Sequence, residues 1–492
     1  MRQPRAEADV AAIFAGPGPS RVEKTHSGSG ATKLNTQPDR LNGARVLVVG
    51  LGRFGGGVGV TKWLAMHGAD VTVTDLAPPS SLAESLAAIA EVAVTLRLAG
   101  HDGVDPGRFD VVVVNPAVNK RHSPFFKLVA ESGVTWTTEL NLFCERCPAK
   151  VIGVTGTYGK STTCAMLAHV LEKACAAGAG PFTGVHLGGN IGRSLLTELP
   201  NIRAEDIVVL EMSNAQLEDL PRIEWTPAVA VITNLFPHHL DRYDSFTDYA
   251  SAKLNIVSPA DPRQPVIVGE LTGDAVDLLR ARVSNNDRRI TRVQRGNDIR
   301  LAVAGKHNRA NADCVLTIAE TLGVGEGVCR EALAEFSGLP HRLEHVRRVG
   351  GVEYVNDSKS TAPAATVTAI QAILERNGSA QSEASIVAIV GGQQKDIALA
   401  DFPDWLAGSC RAVIGIGEAG PAFGEAARQA AQAAGRNLAV YVDGELDAAL
   451  QRARSIARAG DVVLFSPGAP SFDRYGNFTE RGRHFVELVT RL

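Results

Sequence analysis

Short runs of Val, Ile and Leu alternate along most of the chain with longer Ala- and Leu-rich stretches of helical character. These apolar runs fall into three groups, at 45–49, 71–74 and 111–114, at 151–154, 207–210 and 229–232, and at 386–390, 412–416 and 461–465. Continuous apolar strands separated by helices are typical of parallel sheets that are covered on both faces. The pattern therefore predicts three successive α/β domains.

The domain boundaries follow from the positions at which this pattern restarts. Residues 1–40 are rich in Gly, Pro, Ser, Thr and charge and have no periodicity, so we predict a flexible N-terminal extension there. The three domains are then predicted at 41–147, 148–339 and 340–492. The chain length agrees with this division, because roughly 100–200 residues form one domain.

Composition and charge narrow the possible classes of function. The chain of 492 residues is 45% hydrophobic and 21% charged, with a formal net charge of −3, so it offers no basic field for nucleic acid. No apolar run approaches the roughly 20 residues that span a bilayer, and no apolar signal segment follows the N-terminus. Cys144 and Cys147 form a C-x-x-C pair without the further ligands that zinc needs. We therefore expect a cytoplasmic, monomeric protein without nucleic-acid or membrane partners.

The first glycine-rich loop lies between a predicted strand and a predicted helix. The motif Gly50-Leu-Gly-Arg-Phe-Gly55 follows the strand at 45–49, and Asp75 ends the next strand. This spacing matches a dinucleotide fingerprint, in which glycines let the backbone approach a diphosphate at a helix N-terminus. Taken alone, the loop leaves open an NAD or FAD site, a site for another nucleotide diphosphate, and a purely structural turn.

A second glycine-rich loop opens the second domain. Val154-Thr-Gly-Thr-Tyr-Gly-Lys-Ser-Thr162 lies between an apolar strand and a helical run. Its glycines expose backbone N–H groups to phosphates, Lys160 brings a positive charge, and the Ser161 hydroxyl can coordinate Mg²⁺. Gly156 lies three residues before Gly159 instead of the usual five. The loop predicts that the protein binds ATP with Mg²⁺.

This loop and a series of further motifs resemble, in the same order, the Mur ligases and folylpolyglutamate synthases from about residue 44 to 490. The further motifs are Gly188-Gly-Asn-Ile-Gly192, Glu211-Met-Ser213, Tyr249-Ala-Ser-Ala-Lys253, Gly305-Lys-His-Asn308, Gly338-Leu-Pro-His-Arg342 and the segments 234–243, 356–361 and 466–478. The resemblance implies an ATP-dependent ligase with a Rossmann-like first domain for a UDP-linked precursor, a phosphate-loop ATPase-like second domain for ATP and the reaction centre, and a Rossmann-like third domain for an amino acid. The last segment is most similar to the branch that adds D-glutamate to UDP-N-acetylmuramoyl-L-alanine in peptidoglycan synthesis.

The resemblance also implies roles for individual residues. Precursor contacts fall on Gly50, Gly52, Arg53, Phe54, Asp75, Asn190, Ser213 and Gln216. ATP contacts fall on Gly156, Thr157, Gly159, Lys160, Ser161, Thr162, Asn308, Asn311, His341, Arg342 and Asp357. Amino-acid contacts fall on Lys359, Thr361, Lys395, Ser471 and Phe478. The implied metal ligands are Ser161, Glu211, His239 and a carbamate on Lys253, and the implied catalytic residues are Lys160, His239 and Lys253.

The chemistry of amide formation agrees with these residue types. A carboxylate needs a good leaving group before an amine can displace it in water, and phosphoryl transfer from ATP supplies one as an acyl phosphate. Because ATP and a carboxylate are both anions, cations must lie between them. Glu211 at the end of an apolar strand is a suitable Mg²⁺ ligand. Lys359 and Lys395, with hydroxyl groups beside them, suit a dicarboxylate amino acid.

Some positions depart from the family pattern, although none of these changes removes a catalytic group. Tyr158 replaces Asn in the phosphate loop, Asn214-Ala215 replace Ser-Phe, His238 stands where Asp is common, and Gln393-Gln394 precede Lys395 in place of an acid or glycine. The alternatives to D-glutamate ligation are a related ligase that adds L-glutamate or another amino acid or acts on a folate, an inactive binding homologue, and an NAD-dependent oxidoreductase. The oxidoreductase interpretation uses only the first loop.

Overall fold

A computed structural model describes residues 41–52, 55–191, 194–237, 242–283, 290–294, 296, 298–303, 305–376, 385–394 and 399–492. The extension predicted at 1–40 lies outside these residues. None of the helices in the described part of the chain combines the length and the apolar character needed to cross a membrane.

The first sheet has five parallel strands in the order β3-β2-β1-β4-β5. Its strands are β1 (Arg45–Val49), β2 (Asp70–Asp75), β3 (Val94–Leu98), β4 (Val111–Val114) and β5 (Thr135–Thr137), and its helices are α1 (Gly56–Met66), α2 (Ala83–Ala88), α3 (Pro124–Glu131) and α4 (Glu139–Cys144). The direction of the strand order reverses between β1 and β4. The carboxyl ends of these two strands are therefore where a sheet of this type binds a ligand.

The second sheet has six parallel strands in the order β11-β10-β9-β6-β8-β7. Its strands are β6 (Lys150–Thr155), β7 (Val185–Gly189), β8 (Ile207–Glu211), β9 (Val229–Leu235), β10 (Val266–Leu271) and β11 (Ile290–Arg292). The helices that follow them are α5 (Lys160–Ala176), α6 (Asn214–Leu217), α7 (Phe246–Leu254), α8 (Gly273–Arg282), α9 (Lys306–Thr321) and α10 (Glu326–Glu335). One apolar cluster contains residues of both the first and the second sheet.

The third sheet has six strands in the order β12-β13-β17-β14-β15-β16. Its strands are β12 (Glu344–Val349), β13 (Val352–Asn356), β14 (Ile386–Gly391), β15 (Cys410–Ile416), β16 (Ala439–Gly444) and β17 (Val462–Gly468). Its helices are α11 (Pro363–Arg376), α12 (Phe402–Ser409), α13 (Gly420–Ala433), α14 (Leu446–Ile456) and α15 (Phe478–Thr490). Alternate residues of β14 pack into two different apolar clusters, which explains why its sequence is continuously apolar.

One edge strand departs from the expected parallel arrangement. Strand β12 is antiparallel to β13, and the two are joined at Gly350 and Gly351, whose φ angles are +58° and +82°. A two-residue hairpin turn of type I′ has positive φ at both central positions, and glycine supplies it without strain. Strand β12 contains mostly charged and polar residues and only two valines, and no residue of it is fully buried, as expected for an edge strand.

The described residues divide into two compact units. The first extends to Ile299 and includes Ala310–Leu333, and the second contains Arg300–Arg309 and Ala334–Leu492. The first unit contains the first two sheets, and the second contains the third sheet. The predicted α/β class with three sheets is confirmed, whereas the boundaries at 147 and 339 stay a prediction.

Candidate functional site

The phosphate loop lies between β6 and α5, as its sequence predicts. Gly156 has a φ of +151°, and Gly159, the N-cap of α5, has a φ of +78°. A Cβ atom at Gly156 would lie 2.1 Å from Thr233 Oγ1, and one at Gly159 would lie 2.3 Å from Asn311 Oδ1. Both positions therefore require glycine. The first N–H groups of α5 are directed toward the loop, where they can bind phosphate.

Lys160 is the first residue of α5 and closes over the loop. Its Nζ donates hydrogen bonds to the carbonyl oxygens of Gly156 at 2.8 Å and Thr157 at 2.9 Å. Ser161 and Thr162 follow it in the first helical turn. A lysine and two hydroxyl residues at a helix N-terminus form a suitable site for the terminal phosphates of a nucleotide.

The end of β9 fixes the backbone of the phosphate loop. Asn234 holds the peptide groups of Tyr158 from both sides, because its Oδ1 accepts from the Tyr158 amide at 2.8 Å and its Nδ2 donates to the Tyr158 carbonyl at 3.1 Å. Thr233 Oγ1 donates to the same carbonyl at 2.7 Å. The Tyr158 side chain is 56% exposed, so the loop conformation depends on Asn234 and Thr233. We did not predict a role for either residue, although both end an apolar strand.

Glu211 ends β8 and is only 1% exposed. Its Oε1 accepts from Asn190 Nδ2 at 2.9 Å, whereas its Oε2 is buried without a hydrogen-bond partner among the described residues. Gly189 lets the end of β7 lie close to Glu211, because a Cβ atom at Gly189 would lie 2.2 Å from the Glu211 carbonyl oxygen. A buried carboxylate oxygen without a donor is suited to a hard cation such as Mg²⁺.

Lys253 lies in the last turn of α7 and is also only 1% exposed. Its Nζ lies 4.9 Å from the centre of the Tyr249 ring. Burial, with a smaller contribution from Lys160, lowers the pKa of Lys253 to about 6, although Glu211 opposes this shift. The amine is therefore neutral at neutral pH.

Lys160 and Glu211 lie at the carboxyl ends of the neighbouring parallel strands β6 and β8, and Lys253 interacts electrostatically with both of them. Within the described ranges, no group of three or more His, Cys, Asp or Glu side chains could hold a metal ion by itself. A Mg²⁺ ion at Glu211 would therefore take its other ligands from groups such as the Ser161 hydroxyl, phosphate oxygens and water, as this ion often does.

Four of the predicted site residues lie outside the described residues. They are Arg53, Phe54, His239 and Lys395. Their implied roles in binding the precursor, the metal and the amino acid stay predictions.

The first glycine loop lies at the carboxyl ends of β1, β2 and β4. Gly50 and Gly52 have φ angles of +92° and +64°. Asp75 Oδ2 accepts from the Gly52 amide at 3.0 Å, and Asn115 Nδ2 donates to the Gly50 carbonyl at 3.2 Å. Asn115 directly follows β4 and was not among the predicted residues. Together these side chains hold a nucleotide-diphosphate type of loop at the reversal point of the sheet.

Ser213 and Gln216 have a local role in the structure. They form a capping box at α6, in which Gln216 Oε1 accepts from the Ser213 amide at 2.9 Å and Ser213 Oγ accepts from the Gln216 amide at 3.3 Å. Asn214, one of the family departures, donates to the Tyr243 hydroxyl at 2.6 Å. The predicted precursor contact of Ser213 and Gln216 stays a prediction beside this cap.

A buried polar cluster lies at the carboxyl edge of the third sheet. Asp357 accepts from Ser360 Oγ, from Ser466 Oγ at 2.8 Å and from the Leu343 amide at 3.1 Å. Burial raises the pKa of Asp357 to about 6 despite these hydrogen bonds. His341, which precedes Arg342, has its ring Nδ1 2.9 Å from Nδ2 of Asn356, the residue before Asp357, and burial lowers the pKa of His341. These three predicted ATP contacts lie in one part of the second compact unit.

The predicted amino-acid contacts surround the same edge. Lys359 Nζ lies 3.8 Å from the centre of the Phe478 ring, and the Lys359 amide donates to the His341 carbonyl at 3.0 Å. Ser471 is buried in the loop after β17, and Thr361 is exposed in the loop after β13. Because both loops follow parallel neighbouring strands, they meet at one sheet edge.

The two asparagines predicted to contact ATP, Asn308 and Asn311, are both buried on α9. Asn311 belongs to the first compact unit and lies against the phosphate loop, where its Oδ1 accepts from Thr163 Oγ1 at 3.3 Å. Asn308 belongs to the second unit. The close approach of Asn311 to Gly159 described above places this asparagine directly beside the phosphate loop.

Three α/β sheets, a phosphate loop and a buried carboxylate suited to a cation define a nucleotide-phosphate-binding enzyme. The Mur ligase middle domain matches residues 154–309, and the Mur ligase glutamate ligase domain matches residues 341–468. UDP-N-acetylmuramoylalanine-D-glutamate ligase of Roseiflexus sp. (strain RS-1) is 35% identical over 92% of this chain and 99% of its own length. The ligases of the same name from Pelotomaculum thermopropionicum and Symbiobacterium thermophilum are 32% and 33% identical over 91% of this chain and 98% of their own lengths. The chain therefore belongs to the Mur ligase family and is a ligase.

Solved structures show the same fold. UDP-N-acetylmuramate-alanine ligase MurC of Thermotoga maritima is 22% identical, with a TM-score of 0.56 over 91% of this chain and 99% of that chain. MurF of Acinetobacter baumannii is 15% identical, with a TM-score of 0.53 over 99% of both chains. At these identities the likeness concerns the fold, and it agrees with the three-sheet α/β architecture described above.

Proposed function

We propose that this Mur-family ligase joins D-glutamate to the carboxylate of UDP-N-acetylmuramoyl-L-alanine in peptidoglycan synthesis. The carboxylate oxygen attacks the terminal phosphorus of ATP and ADP leaves, which gives an acyl phosphate. The amine of D-glutamate then attacks the acyl carbon, inorganic phosphate leaves, and the amine loses a proton as the amide forms. The observation that carries the proposal is the buried corner in which the phosphate loop, Glu211 and Lys253 converge.

In this proposal the phosphate loop and Lys160 hold the terminal phosphates of ATP. The helix N-terminus of α5 offers N–H donors, and the Lys160 ammonium can exchange its bonds to Gly156 and Thr157 for bonds to phosphate oxygens. Glu211 Oε2 and Ser161 would hold Mg²⁺, which would neutralise charge between the phosphates and the substrate carboxylate. Asn190 orients the Glu211 carboxylate through its hydrogen bond.

Lys253 is proposed to carry a carbamate, formed when its neutral amine adds CO₂ and releases a proton. Two features support this modification. The amine is fully buried beside Glu211 and Lys160, and its pKa of about 6 leaves it unprotonated and nucleophilic at neutral pH. The carbamate would place a negative charge near the Lys160 ammonium, and it would add an anionic oxygen ligand near Glu211.

The amino acid is proposed to bind at the carboxyl edge of the third sheet. Lys359 lies against the Phe478 ring, and Ser471 lies in the neighbouring loop, so a cation and a hydroxyl can each serve a carboxylate. Lys395 would supply a second cation, although it lies outside the described residues. This composition favours a dicarboxylate over a neutral amino acid.

The experiment that tests the proposal is phosphate release with ATP, Mg²⁺ and UDP-N-acetylmuramoyl-L-alanine, with the amino acid varied. We expect sustained release with D-glutamate and little with L-glutamate or neutral amino acids. Sustained release with another amino acid alone would overturn the assignment of D-glutamate while keeping the ligase chemistry. The absence of release with every amino acid would overturn the proposed reaction.

A further inference from the structure

The first turn of α15 presents three residues on one face to the loops of the third sheet. Phe478, Arg481 and Gly482 are three and four residues apart, so they share a side of the helix. Phe478 lies against Lys359, as described above. Gly482 lies against His341, because a Cβ there would be 2.3 Å from His341 Nδ1. Arg481 lies between these contacts, and the sequence did not single it out.

The Arg481 guanidinium connects the loop after β13 to the loop after β17. Its Nε donates to Ser358 Oγ at 3.1 Å, and its Nη2 donates to the Ser358 carbonyl at 2.9 Å. Its Nη1 donates to the Ala469 carbonyl at 3.0 Å. Ser358 Oγ in turn donates to the Phe478 carbonyl at 2.8 Å. Arg481 therefore holds Ser358, which directly precedes Lys359, and Ala469, which lies two residues before Ser471.

A third loop meets the same guanidinium. Gly392 follows β14 with a φ of +143°, and a Cβ there would lie 2.9 Å from Arg481 Nη1 and 2.3 Å from the Pro470 carbonyl oxygen. The Gln393 amide donates to that Pro470 carbonyl at 2.8 Å. Arg481 and the residues it holds thus contact the start of the loop after β14, at Gly392 and Gln393, as well as the loops after β13 and β17.

The burial of Arg481 is unusual for a residue with only a structural role. The side chain is 1% exposed, and its hydrogen bonds go to neutral groups of Ser358 and Ala469. Burial lowers the pKa of Arg481 to about 10, although the Asp473 carboxylate opposes this shift, so the group stays charged at neutral pH. Burying a cation whose hydrogen bonds go to neutral groups is energetically costly. A site for an anionic substrate in front of Arg481 would explain why the cation is buried here, because its positive charge attracts the substrate.

We propose that Arg481 is a positioning residue for the amino-acid substrate, which fixes the loops of Lys359 and Ser471 and adds positive potential behind them. This inference rests on the proposed function and identifies what organises the amino-acid site. Arg481 acts through the loops, because its Nε, Nη1 and Nη2 each donate to Ser358 or Ala469 and the side chain is buried behind them. Its planar fork matters as well as its charge, since lysine cannot reach three acceptors in that geometry.

The test is the steady-state kinetics of Arg481→Lys. We expect the KM for the amino acid to rise by about tenfold or more, as when hydrogen bonds that order a charged site are lost. The KM values for ATP and the precursor should stay within about twofold. Arg282→Lys is the matched control, because Arg282 is half-buried in the first compact unit and donates to the Val257 carbonyl and to Asn255 Oδ1. It should leave all three KM values unchanged.

Ser358→Ala gives a second measurement if Arg481→Lys fails to fold. It removes the acceptor of Arg481 Nε and should raise the same KM severalfold, whereas Ser409→Ala, at another buried serine of the same compact unit, should not. An unchanged amino-acid KM in both variants, or an equal rise in all three KM values, would overturn the role of Arg481.

The unmodified protein shows separately whether the substrate assignment is wrong. If it uses an amino acid other than D-glutamate, the KM for that amino acid is compared between the variants. If the unmodified chain uses none, the inference fails together with the proposed function.

Discussion

Lys160 and Lys253 lie near one carboxylate, yet their surroundings suit them to different work. Lys160 is half-exposed at a helix N-terminus and donates to two carbonyl oxygens of the phosphate loop. A cation in this position can bind the phosphates of a nucleotide. Lys253 is buried against Tyr249, and its pKa is lowered to about 6. Residue type alone could not separate these two lysines, because the difference arises from burial.

Lys160→Ala should abolish phosphate release while the protein still folds. The side chain supplies charge to the phosphates and contributes little to packing, so the melting temperature should change by no more than a few degrees. Lys173→Ala, near the exposed end of the same helix, is the control and should keep full activity. Normal phosphate release from a well-folded Lys160→Ala variant would contradict the phosphate-loop assignment.

Glu211→Gln should raise the Mg²⁺ concentration needed for half-maximal activity by about tenfold or more, because an anionic ligand is replaced by a neutral one. Complete removal of Mg²⁺ should stop the unmodified enzyme. The measurement is a Mg²⁺ titration at saturating ATP, with Glu172→Gln on the exposed face of α5 as the control. Identical titrations for Glu211→Gln and the unmodified enzyme would remove Glu211 from the metal site.

Lys253→Ala should be nearly inactive and should recover part of its activity in acetate or formate. A carbamate is a carboxylate on a long side chain, so a small carboxylic acid can enter the space left by alanine and supply the anionic oxygen. The same acids should not stimulate the unmodified enzyme. Rescue by small amines in place of acids would mean that the working group is an amine, and the carbamate would have to be abandoned.

At the scale of elements, the ends of neighbouring strands determine the site. Strand β7 ends at Gly189, whose φ of +90° and missing side chain let Asn190 bond to Glu211 at the end of β8. The sequence predicted both residues in different roles, Asn190 as a contact to the precursor and Glu211 as a metal ligand. Their pairing depends on the strand order, with β7 beside β8, and a sequence pattern does not specify that order.

Gly189→Ala should therefore disturb the metal site through the backbone. Its Cβ would lie 2.2 Å from the Glu211 carbonyl oxygen, so the strands must separate locally. We expect a lower denaturant midpoint, a loss of about 1–3 kcal/mol, and a higher Mg²⁺ requirement. Gly178→Ala is the control, because Gly178 has a φ of +63° but open space around it. Equal effects of the two substitutions would mean that backbone strain alone, and not the contact with Glu211, is responsible.

The strands that the sequence predicted are largely buried on both faces of a sheet, whereas β12, which it missed, has an exposed face. Strands such as β14 are buried on both faces, so every residue is apolar and the run stands out. Strand β12 has polar residues on its exposed face and pairs antiparallel, so it gave no such signal. Asn115 and Arg481 were missed, and Asn234 was placed in a motif without a role, because their partners are distant in sequence and become neighbours only in the folded sheet.

At the scale of the whole molecule, two glycine loops at two sheets carry different amounts of information. The loop of the second sheet has a lysine, hydroxyls and a buried carboxylate around it, which together specify nucleotide phosphates with a cation. The loop of the first sheet has only backbone groups, Asp75 and Asn115 among its described contacts. Those contacts suit NAD and a UDP-linked precursor equally well. The assignment of a UDP site therefore depends on membership of the Mur ligase family.

Ligand-induced stabilisation distinguishes the two candidates for the first sheet. A ligand that binds only the native protein stabilises it by about 2.7 kcal/mol at 100 times its Kd, so UDP-N-acetylmuramoyl-L-alanine should raise the melting temperature and NADH should not. Gly52→Ala should weaken the precursor effect, because Gly52 has a φ of +64° and donates to Asp75, while stabilisation by ATP with Mg²⁺ should persist. Gly43→Ala, with a φ of +75° and no atom near its Cβ position, is the control. Enhancement of NADH fluorescence that the precursor fails to displace would show that the first loop binds a nicotinamide cofactor, and the UDP assignment would then be wrong.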